Sequence, residues 1–372
     1  MTADLVLVLN AGSSSIKAAL LSCDDAGTIT SLWHDQQTWT LPADAPGGIA
    51  LATAVDQCLT PWLPAALAPW QGHLGLVAHR VVHGGERFRR ACRIDAEVRR
   101  GIEAVSPLAP LHNGVALAVI DWMETWLAPW QPRLSQWACF DTAFHSTLPV
   151  EQFTYALPAP WRQQGLRRYG FHGLNHQHVA ETVGQLLAEE GQDAEQLQGV
   201  RLISAHLGAG CSLCAIRQGR SVATTMGLTP LEGLVMGSRS GSVDPGLLLH
   251  LLQHQGLGAA ALDDALNHRS GLLGLSELSG DMRQLRQAAA AGHSGSQLAI
   301  AVFTARLLEG IGAMAAVLRG VDVIALSGGI GQNDAQLAHD LHQQLQWLGP
   351  LRLLQIPADE EGQIARQCLQ QR

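Results

Sequence analysis

The chain has 372 residues, 47% of them hydrophobic and 15% charged, with a net charge of −8 at pH 7. That length exceeds what one hydrophobic core usually organises, so two domains are expected. The negative balance argues against nucleic-acid binding, which wants a basic face; the densest basic stretch, Arg87 to Arg100, is interrupted by Asp95 and Glu97.

Leu5 to Leu21, LVLVLNAGSSSIKAALL, sets apolar runs on either side of Ala11-Gly12-Ser13-Ser14 and predicts a β-hairpin. Glycine lets such a turn bring backbone N–H groups close to a ligand, and the serines add hydroxyl donors, which suits a phosphate. Lys17 follows the turn and is the one lysine among 24 basic residues. An ammonium binds phosphate as a compact point charge; the alternative is an ordinary edge hairpin with a solvated lysine. Thr28 to Leu41 reads as further strand, Gly48 to Leu67 as helix broken by Pro61 and Pro64, and Leu74 to Val82 as a buried strand. That strand runs into His79-Arg80-Val81-Val82-His83-Gly84-Gly85, polar groups and paired glycines where α/β proteins place ligand contacts. Leu108 to Leu127 predicts a helix, and Trp137 to Phe140 a short strand leading into Asp141.

Pro-containing sequence from Leu148 to Pro160 is a candidate domain boundary. Arg167 to Gly173 is a loop dense in hydrogen-bonding groups, and Asn175 is placed to cap the helix that follows. From Arg201 to Val222 the opening design repeats: LISAHL, a small-residue turn, then LCAIRQ, with Ala11 to Ser14 aligned on Ala209 to Ser212 at a constant offset. An internal duplication predicts two similarly built halves facing one cleft, each with a phosphate-binding hairpin. Thr224 to Gly246 reads as loop, and Leu247 to Arg319 as mainly helix with an interruption from Gly271 to Gly280. Val321 to Leu326 is a buried-type strand, followed by the glycine cluster Ser327 to Asn333 and then a helix, an order that suits nucleotide contacts. Asp359-Glu360-Glu361 offers a metal-binding or helix-start carboxylate cluster.

No run reaches the roughly 18 uninterrupted apolar residues of a membrane helix, and acidic Asp4 with no basic leader predicts no secretory signal. Seven scattered cysteines suit reduced thiols in a cytoplasm. Cys211 and Cys214 have CxxC spacing but sit in a strand-like run without a second pair, so neither metal nor redox chemistry is expected of them. His172, His176 and His178 have no cysteine or carboxylate at ligand spacing, which argues against zinc.

Two phosphate-type hairpins, a third glycine-rich turn and loop arginines suggest phosphoryl transfer, which is mostly positioning and charge neutralisation. The candidates are Lys17, Arg80 and Arg239 as cations, Asn10 and Glu360 for magnesium, and Asp141 and His172 for the acceptor. The sequence resembles the acetate kinase family from Leu5 to about Arg366. In order, LNAGSSSIK, HRVVHGGERF, PLHN, FDTAFH, RRYGFHG, HLGAG, MGLTPLEGLVMGSRSG, GDMR, SGGIGQN and EEGQIAR carry the likeness. It implies an α/β fold of two duplicated ribonuclease H-like (actin-like ATPase) domains, mixed β-sheets flanked by helices, around a central cleft. The first domain would be 1–140 with the tail 361–372, and the second 141–360.

The same resemblance implies reversible, direct in-line transfer of the γ-phosphoryl of ATP to acetate, giving acetyl phosphate and ADP. Propionate or another short-chain acid is the alternative substrate, and a non-catalytic nucleotide-binding module the alternative outside enzymology. By the resemblance, Asn10 and Glu360 sit on Mg2+, with Mn2+ as a substitute, and Lys17 contacts ATP phosphate. Arg80 binds the carboxylate, Arg239 the carboxylate or the moving phosphoryl group, Asp141 is the catalytic carboxylate and His172 the transition-state stabiliser. Val82, Leu111, Phe171 and Pro230 match the pocket for the acyl methyl. The nucleotide-binding runs match His206, Leu207, Gly208, Ala209 and Gly210; Asp281, Met282 and Arg283; and Gly329, Ile330, Gly331, Gln332 and Asn333. A cytoplasmic homodimer, joined through the second domain and closing on its substrates, is also implied, with no nucleic-acid or membrane partner. Because a carboxylate acceptor is already ionised at neutral pH, Asp141 is expected to orient rather than to act as a general base.

Six positions depart from the family pattern. Leu174 and Asn175 stand in a run where HGTSH is usual, Ala209 where an asparagine is usual, Ala223 and Ser242 where aspartates are usual, and Gln332 where a glutamate is usual. Ala209 touches on nucleotide or phosphate contacts; none of the six removes an expected catalytic group.

Overall fold

The opening hairpin forms because its two strands alternate in the same sense. β1 (Asp4–Ala11) and β2 (Ser15–Cys23) pair antiparallel, with Leu7 opposite Leu20, Leu9 opposite Ala18 and Ala11 opposite Ile16. These six side chains point to one face, as strand alternation requires, and lie in a single core cluster with Leu51, Val55, Leu59, Val115, Val119 and Met123 from two helices. The opposite face carries Val8 and Asn10, with Lys17 directly across from Asn10. The computed structural model describes residues 4–12, 15–24, 27–39 and 48–372, without the side chains of residues 110 and 111. Ser13 and Ser14, expected as donors in the turn, lie outside the described residues.

The described residues cluster into two compact units, Met1–Phe144 with Asp359–Arg372, and His145–Ala358. In the first, β3 (Ile29–Thr38), β4 (Leu76–Val81), β5 (Cys92–Arg93) and β6 (Gln136–Phe140) complete a sheet of order β3-β2-β1-β4-β6-β5. β4 runs parallel to both β1 and β6. The helices Ile49–Leu59 and Pro110–Leu127 cover the Leu7/Leu9 face. The helix Glu360–Gln371 packs on β1, β4 and β6, burying Ile364, Ala365 and Cys368; the thiols of Cys368 and Cys139 lie 3.4 Å apart.

The second unit repeats the plan. β7 (Arg201–Leu207), β8 (Cys211–Arg217), β9 (Arg220–Thr224), β10 (Val323–Ser327) and β11 (Arg352–Gln355) form a sheet of order β11-β10-β7-β8-β9. Read from the other edge, that is the order and direction of β3-β2-β1-β4-β6: three antiparallel strands, then two parallel additions. The duplication expected from two small-residue turns is therefore visible in the topology of both sheets. The expected alignment of Ala11 on Ala209 is displaced by two residues, because Ala11 and Leu207 are the positions that end the first strands of the two hairpins. Gly12 and Gly208 open the two turns, each donating its N–H back across the turn.

Three further expectations change. Asn175 does not cap its helix: Gly173–Glu189 starts two residues earlier, and buried Asn175 accepts from the Ser327 hydroxyl instead. The interruption at 271–280 contains a short helix, Gly271–Ser276, and the glycine cluster after β10 is itself the helix Gly328–Asn333. The helix Ser294–Leu318 is long and apolar enough to cross a membrane, alone among the described residues. No uninterrupted apolar run marks it, because Gln297, Thr304, Arg306 and Glu309 break the run. Ala299, Phe303, Leu307, Ile311, Met314 and Leu318 recur every three or four residues along it and are buried, and the helix packs on β7, β8 and β9.

Two fully buried histidines tie stability to pH. Burial outweighs the Gln136 hydrogen bond at His79, and the Phe171 carbonyl at His145, lowering each ring from 6.5 to about 4. Below pH 6.5 the unfolded chain takes up protons that the folded rings refuse. Unfolding free energy measured in urea should therefore fall between about pH 6.5 and 4, by up to about 3 kcal/mol per ring, and level off below. A flat profile across that window contradicts the assignment.

Candidate active site

In the first unit the site is built where β1, β4 and β6 end. Arg80 is on β4 and Asp141 follows β6 in register beside it. The guanidinium grips the carboxylate bidentately, Nε to Oδ1 at 2.9 Å and Nη2 to Oδ2 at 2.6 Å. Its Nη1 donates to Asn10 Oδ1 at 3.0 Å, and the Asn10 amide group donates to Glu360 at 3.3 Å and Glu361 at 3.1 Å. Asp141 is almost fully buried, and the Arg80 side chain is only 16% exposed. Burial, the largest influence on both groups, works against their charges and pushes the Asp141 carboxyl up, while the guanidinium pulls it back. Asp141, Glu360 and Glu361 together carry Arg80 well above its ordinary value despite that burial, so it stays charged.

The acidic pair arrives on the helix Glu360–Gln371, whose N-cap is Asp359: Oδ1 accepts from the Gly362 N–H at 3.0 Å. The helix-start reading of the Asp-Glu-Glu run holds in Asp359, and Glu360 and Glu361 both accept from the Asn10 amide. Glu361 entered the sequence reading only as part of the Asp-Glu-Glu run, with Glu360 the one of the two expected at magnesium. Oxygen donors of this kind suit Mg2+, which typically takes one or two carboxylates and leaves its other positions to water and phosphate. Lys17 is exposed, across the β1–β2 ladder from Asn10. Val82 is buried just beyond β4. Leu111 lies in the helix Pro110–Leu127, and its side chain is outside the described residues.

In the second unit, strand alternation sends Ser204, His206 and Ser212 to one face of the sheet. His172 is the N-cap of the helix Gly173–Glu189 and holds left-handed backbone angles (φ 56°, ψ 22°), uncommon for so bulky a residue. Its ring stacks on His206 at 4.2 Å, and Nδ1 lies 2.9 Å from Ser212 Oγ. A Cβ added at Gly210 would lie 2.9 Å from His172 Nε2 and 3.8 Å from Arg239 Nη1, so both groups converge over that glycine. Arg239 Nη1 also donates to the Pro230 carbonyl at 3.1 Å.

The turn at 208–210 is ringed by other glycines. Gly329 approaches Gly208, the Gly237 N–H donates to the Ala209 carbonyl at 3.1 Å, and Gly280, just before Asp281, packs on Gly237. Gly328 has φ 78°, and a Cβ there would strike the Leu207 carbonyl at 2.7 Å, so this approach needs glycine. His206 to Gly210, Asp281 and Gly329 are thus brought together, with backbone amides available in the manner of a phosphate cradle. Asp281 caps the helix Met282–Ala290 and pairs with exposed Arg283; Met282 is buried. Asn333 ties back to the Gly329 carbonyl at 2.8 Å. Ile330 and Gly331 are in the helix Gly328–Asn333, with Gly331 buried against Leu326. Phe171, beside His172, is fully buried.

The departures have local explanations. With its amide oxygen turned to the donors, Gln332 accepts from the N–H groups of Gly328 and Ala358, a task a glutamate would share. Ser242 closes its loop by accepting from Gly233 N–H through Oγ at 3.1 Å. Ala223 is buried in β9, where a carboxylate would be costly. Ala209 is exposed at its turn and offers a methyl. A groove of about 910 Å³ elsewhere in the second unit, along Tyr155, Arg168, Arg269 and Arg306, contains none of the expected site residues.

Comparison with known proteins agrees with these motifs. Residues 5–365 match the model of the Acetokinase family. An acetate kinase from Synechococcus sp. is 42% identical, the alignment covering 98% of each chain, and one from Ectopseudomonas mendocina is 40% identical over 99% of each. Among solved structures, Porphyromonas gingivalis acetate kinase superposes with TM-score 0.80 at 31% identity, covering 99% of both chains. A propionate kinase from Francisella tularensis superposes with TM-score 0.83, also at 31% identity, covering 98% of both.

Arg80→Ala would leave Asp141 buried without its counter-charge. The variant should lose about 3–5 kcal/mol of stability at neutral pH. The deficit against wild type should shrink at pH 5 as the stranded carboxyl takes up a proton. Urea titrations of both proteins at the two pH values read this directly; a deficit below 1 kcal/mol at pH 7 means the pair is no more than a surface ion pair.

Proposed function

The chain belongs to the Acetokinase family, and is therefore a carboxylate kinase; from that premise we propose that it moves the γ-phosphoryl group of ATP directly to acetate, giving acetyl phosphate and ADP. The observation that carries the reading is the Arg80–Asp141 pair, a charged fork held rigid at the end of a sheet. Three of its N–H groups are engaged by Asp141 and Asn10, which leaves one on each Nη nitrogen for a carboxylate.

In this reading Arg80 orients the acid so that one oxygen attacks phosphorus in line with the leaving ADP. The acceptor needs no deprotonation, and Asp141 serves by fixing Arg80 rather than by removing a proton. His172 Nε2 and Arg239, which converge over Gly210, donate to the equatorial oxygens, where charge builds in the transition state. Lys17 and the amides of the 208–210 and 328–331 turns hold the remaining phosphates. Asn10 and Glu360, with Glu361 beside them, would hold Mg2+, which neutralises phosphate charge when bound. A cytoplasmic homodimer that closes on its substrates belongs to the same proposal.

Acetate is put before propionate because relatives 40–42% identical to this chain are named acetate kinases. The likeness to a propionate kinase keeps the longer acid as the second reading. One methylene in an apolar pocket is worth only about 1–3 kcal/mol, so kcat/KM on the two acids should differ by roughly 10- to 200-fold. Trapping acyl phosphate with hydroxylamine, with ATP, Mg2+ and acetate, propionate or butyrate, tests the reaction itself. No hydroxamate from any acid refutes it. Arg80→Ala should chiefly raise the KM for the carboxylate, and Asp141→Ala should chiefly lower kcat; unaltered turnover in the second removes Asp141 from the mechanism.

A further inference from the structure

Behind His172 runs a buried chain that the reaction as drawn does not use. His172 Nδ1 meets Ser212 Oγ at 2.9 Å, Ser212 Oγ meets His176 Nε2 at 2.8 Å, and His176 Nδ1 meets Ser204 Oγ at 2.8 Å. Ser204, His176 and Ser212 are all fully buried. We propose that Ser212, backed by His176, is a positioning residue for His172: its hydroxyl fixes the ring through Nδ1 and keeps a proton on Nε2. The proposal rests on the reading of His172 as the group that donates to the transferring phosphoryl.

The proton count allows the chain three settings, and the two that keep a proton on His172 Nε2 are the ones proposed. In the third, neutral His172 donates from Nδ1 to Ser212, Ser212 donates to His176 Nε2, and His172 Nε2 is bare. A serine hydroxyl has one proton to give, and a neutral imidazole has one N–H. In the first setting His176 Nε2–H donates to Ser212, Ser212 donates to His172 Nδ1, and neutral His172 carries its proton on Nε2. In the second, His172 is doubly protonated and its Nδ1–H donates to Ser212. The Ser212 hydroxyl then turns to His176 Nε2, and His176 keeps its proton on Nδ1, toward Ser204. Nε2 is a donor in both, on the edge that faces Gly210 and Arg239. His176 does not itself compete for charge, because burial first, then His145 and His206, hold its ring well below the ordinary histidine value. The other titratable or charged groups around His172 are stacked His206, Arg239 and the Cys211 thiol, which burial pushes up to about 12.

The left-handed backbone at His172 makes such support necessary. A conformation this uncommon persists only where neighbours over-determine it, and the Ser212 bond is one of those constraints. The sequence offered Ser212 only as part of a small-residue turn and His176 only as a poor zinc ligand, because their contact depends on β8 facing the first turn of the helix Gly173–Glu189.

The test begins with 15N-labelled wild-type protein, without substrates. The His172 ring should show a hydrogen-bonded Nδ1 and a proton on Nε2, with a slowly exchanging Ser212 hydroxyl between the two rings. In Ser212→Ala the Nδ1 signal should move to that of an unbonded nitrogen. In the acetate assay, Ser212→Ala should lower kcat roughly 10- to 100-fold with KM for acetate and ATP within about twofold, and Ser212→Thr should restore most of it. Ser221→Ala, the same change beneath the neighbouring buried His145, should keep the wild-type pH profile. An unbonded His172 Nδ1 in wild type, ring signals unchanged by Ser212→Ala, or unchanged kcat each overturn the proposal. If Ser212→Ala does not fold, the wild-type spectrum and Ser212→Thr still decide it. If wild type phosphorylates no acid, the functional reading fails, while the ring spectra still report whether Ser212 holds His172.

Discussion

A cation buried at the end of a sheet can persist only if its counter-charges are fixed there too, and that constraint shapes the first unit. Arg80 is held bidentately by Asp141, through Nη1 by Asn10, and at longer range by Glu360. Each partner comes from a different element: the end of β6, the end of β1 and the start of the helix Glu360–Gln371. Removing one member of such a set strands charge in a region that cannot solvate it. The same fixation is what an enzyme wants of a carboxylate-binding arginine, because an ordered fork loses little freedom when a substrate arrives.

Duplication of the sheet turns one scaffold into two chemistries. Asn10 and His206 occupy the same place, next to the last residue of the first strand, and their cross-strand partners are Lys17 and Ser212. In one copy that position faces two glutamates; in the other it faces a stack of imidazoles. The backbone supplies the position, and the side chain alone decides whether it meets carboxylates or imidazoles.

The elements that were legible in the sequence are those governed by local rules. Strand alternation exposed the opening hairpin and its echo, and the motif series led directly to Arg80, Asp141, His172 and the glycine turns. What escaped is what depends on partners far along the chain. Asn175 looks like a cap by residue type, yet its bond to Ser327 is made across 152 positions. The helix Ser294–Leu318 hides its apolar face behind Arg306 and Glu309, and only the sheet beneath it explains the pattern. The serine–histidine contact went unread for the same reason: its meaning lies in which strand and helix end face each other. The two-residue displacement between the hairpins shows the limit of matching small residues by offset, since topology repeats where residue type does not.

The helix Glu360–Gln371 packs on β1, β4 and β6, across some 350 positions of intervening chain. On the ribosome, where synthesis runs from the N-terminus, every residue of the second unit emerges before that helix does. The first unit therefore begins earlier and finishes later, and until then its sheet lacks the surface that buries Cys139 and the carboxylates facing Asn10. Completion of the acidic cluster at Asn10 therefore waits on the two glutamates, and nascent protein stays unable to assemble it until they have been made.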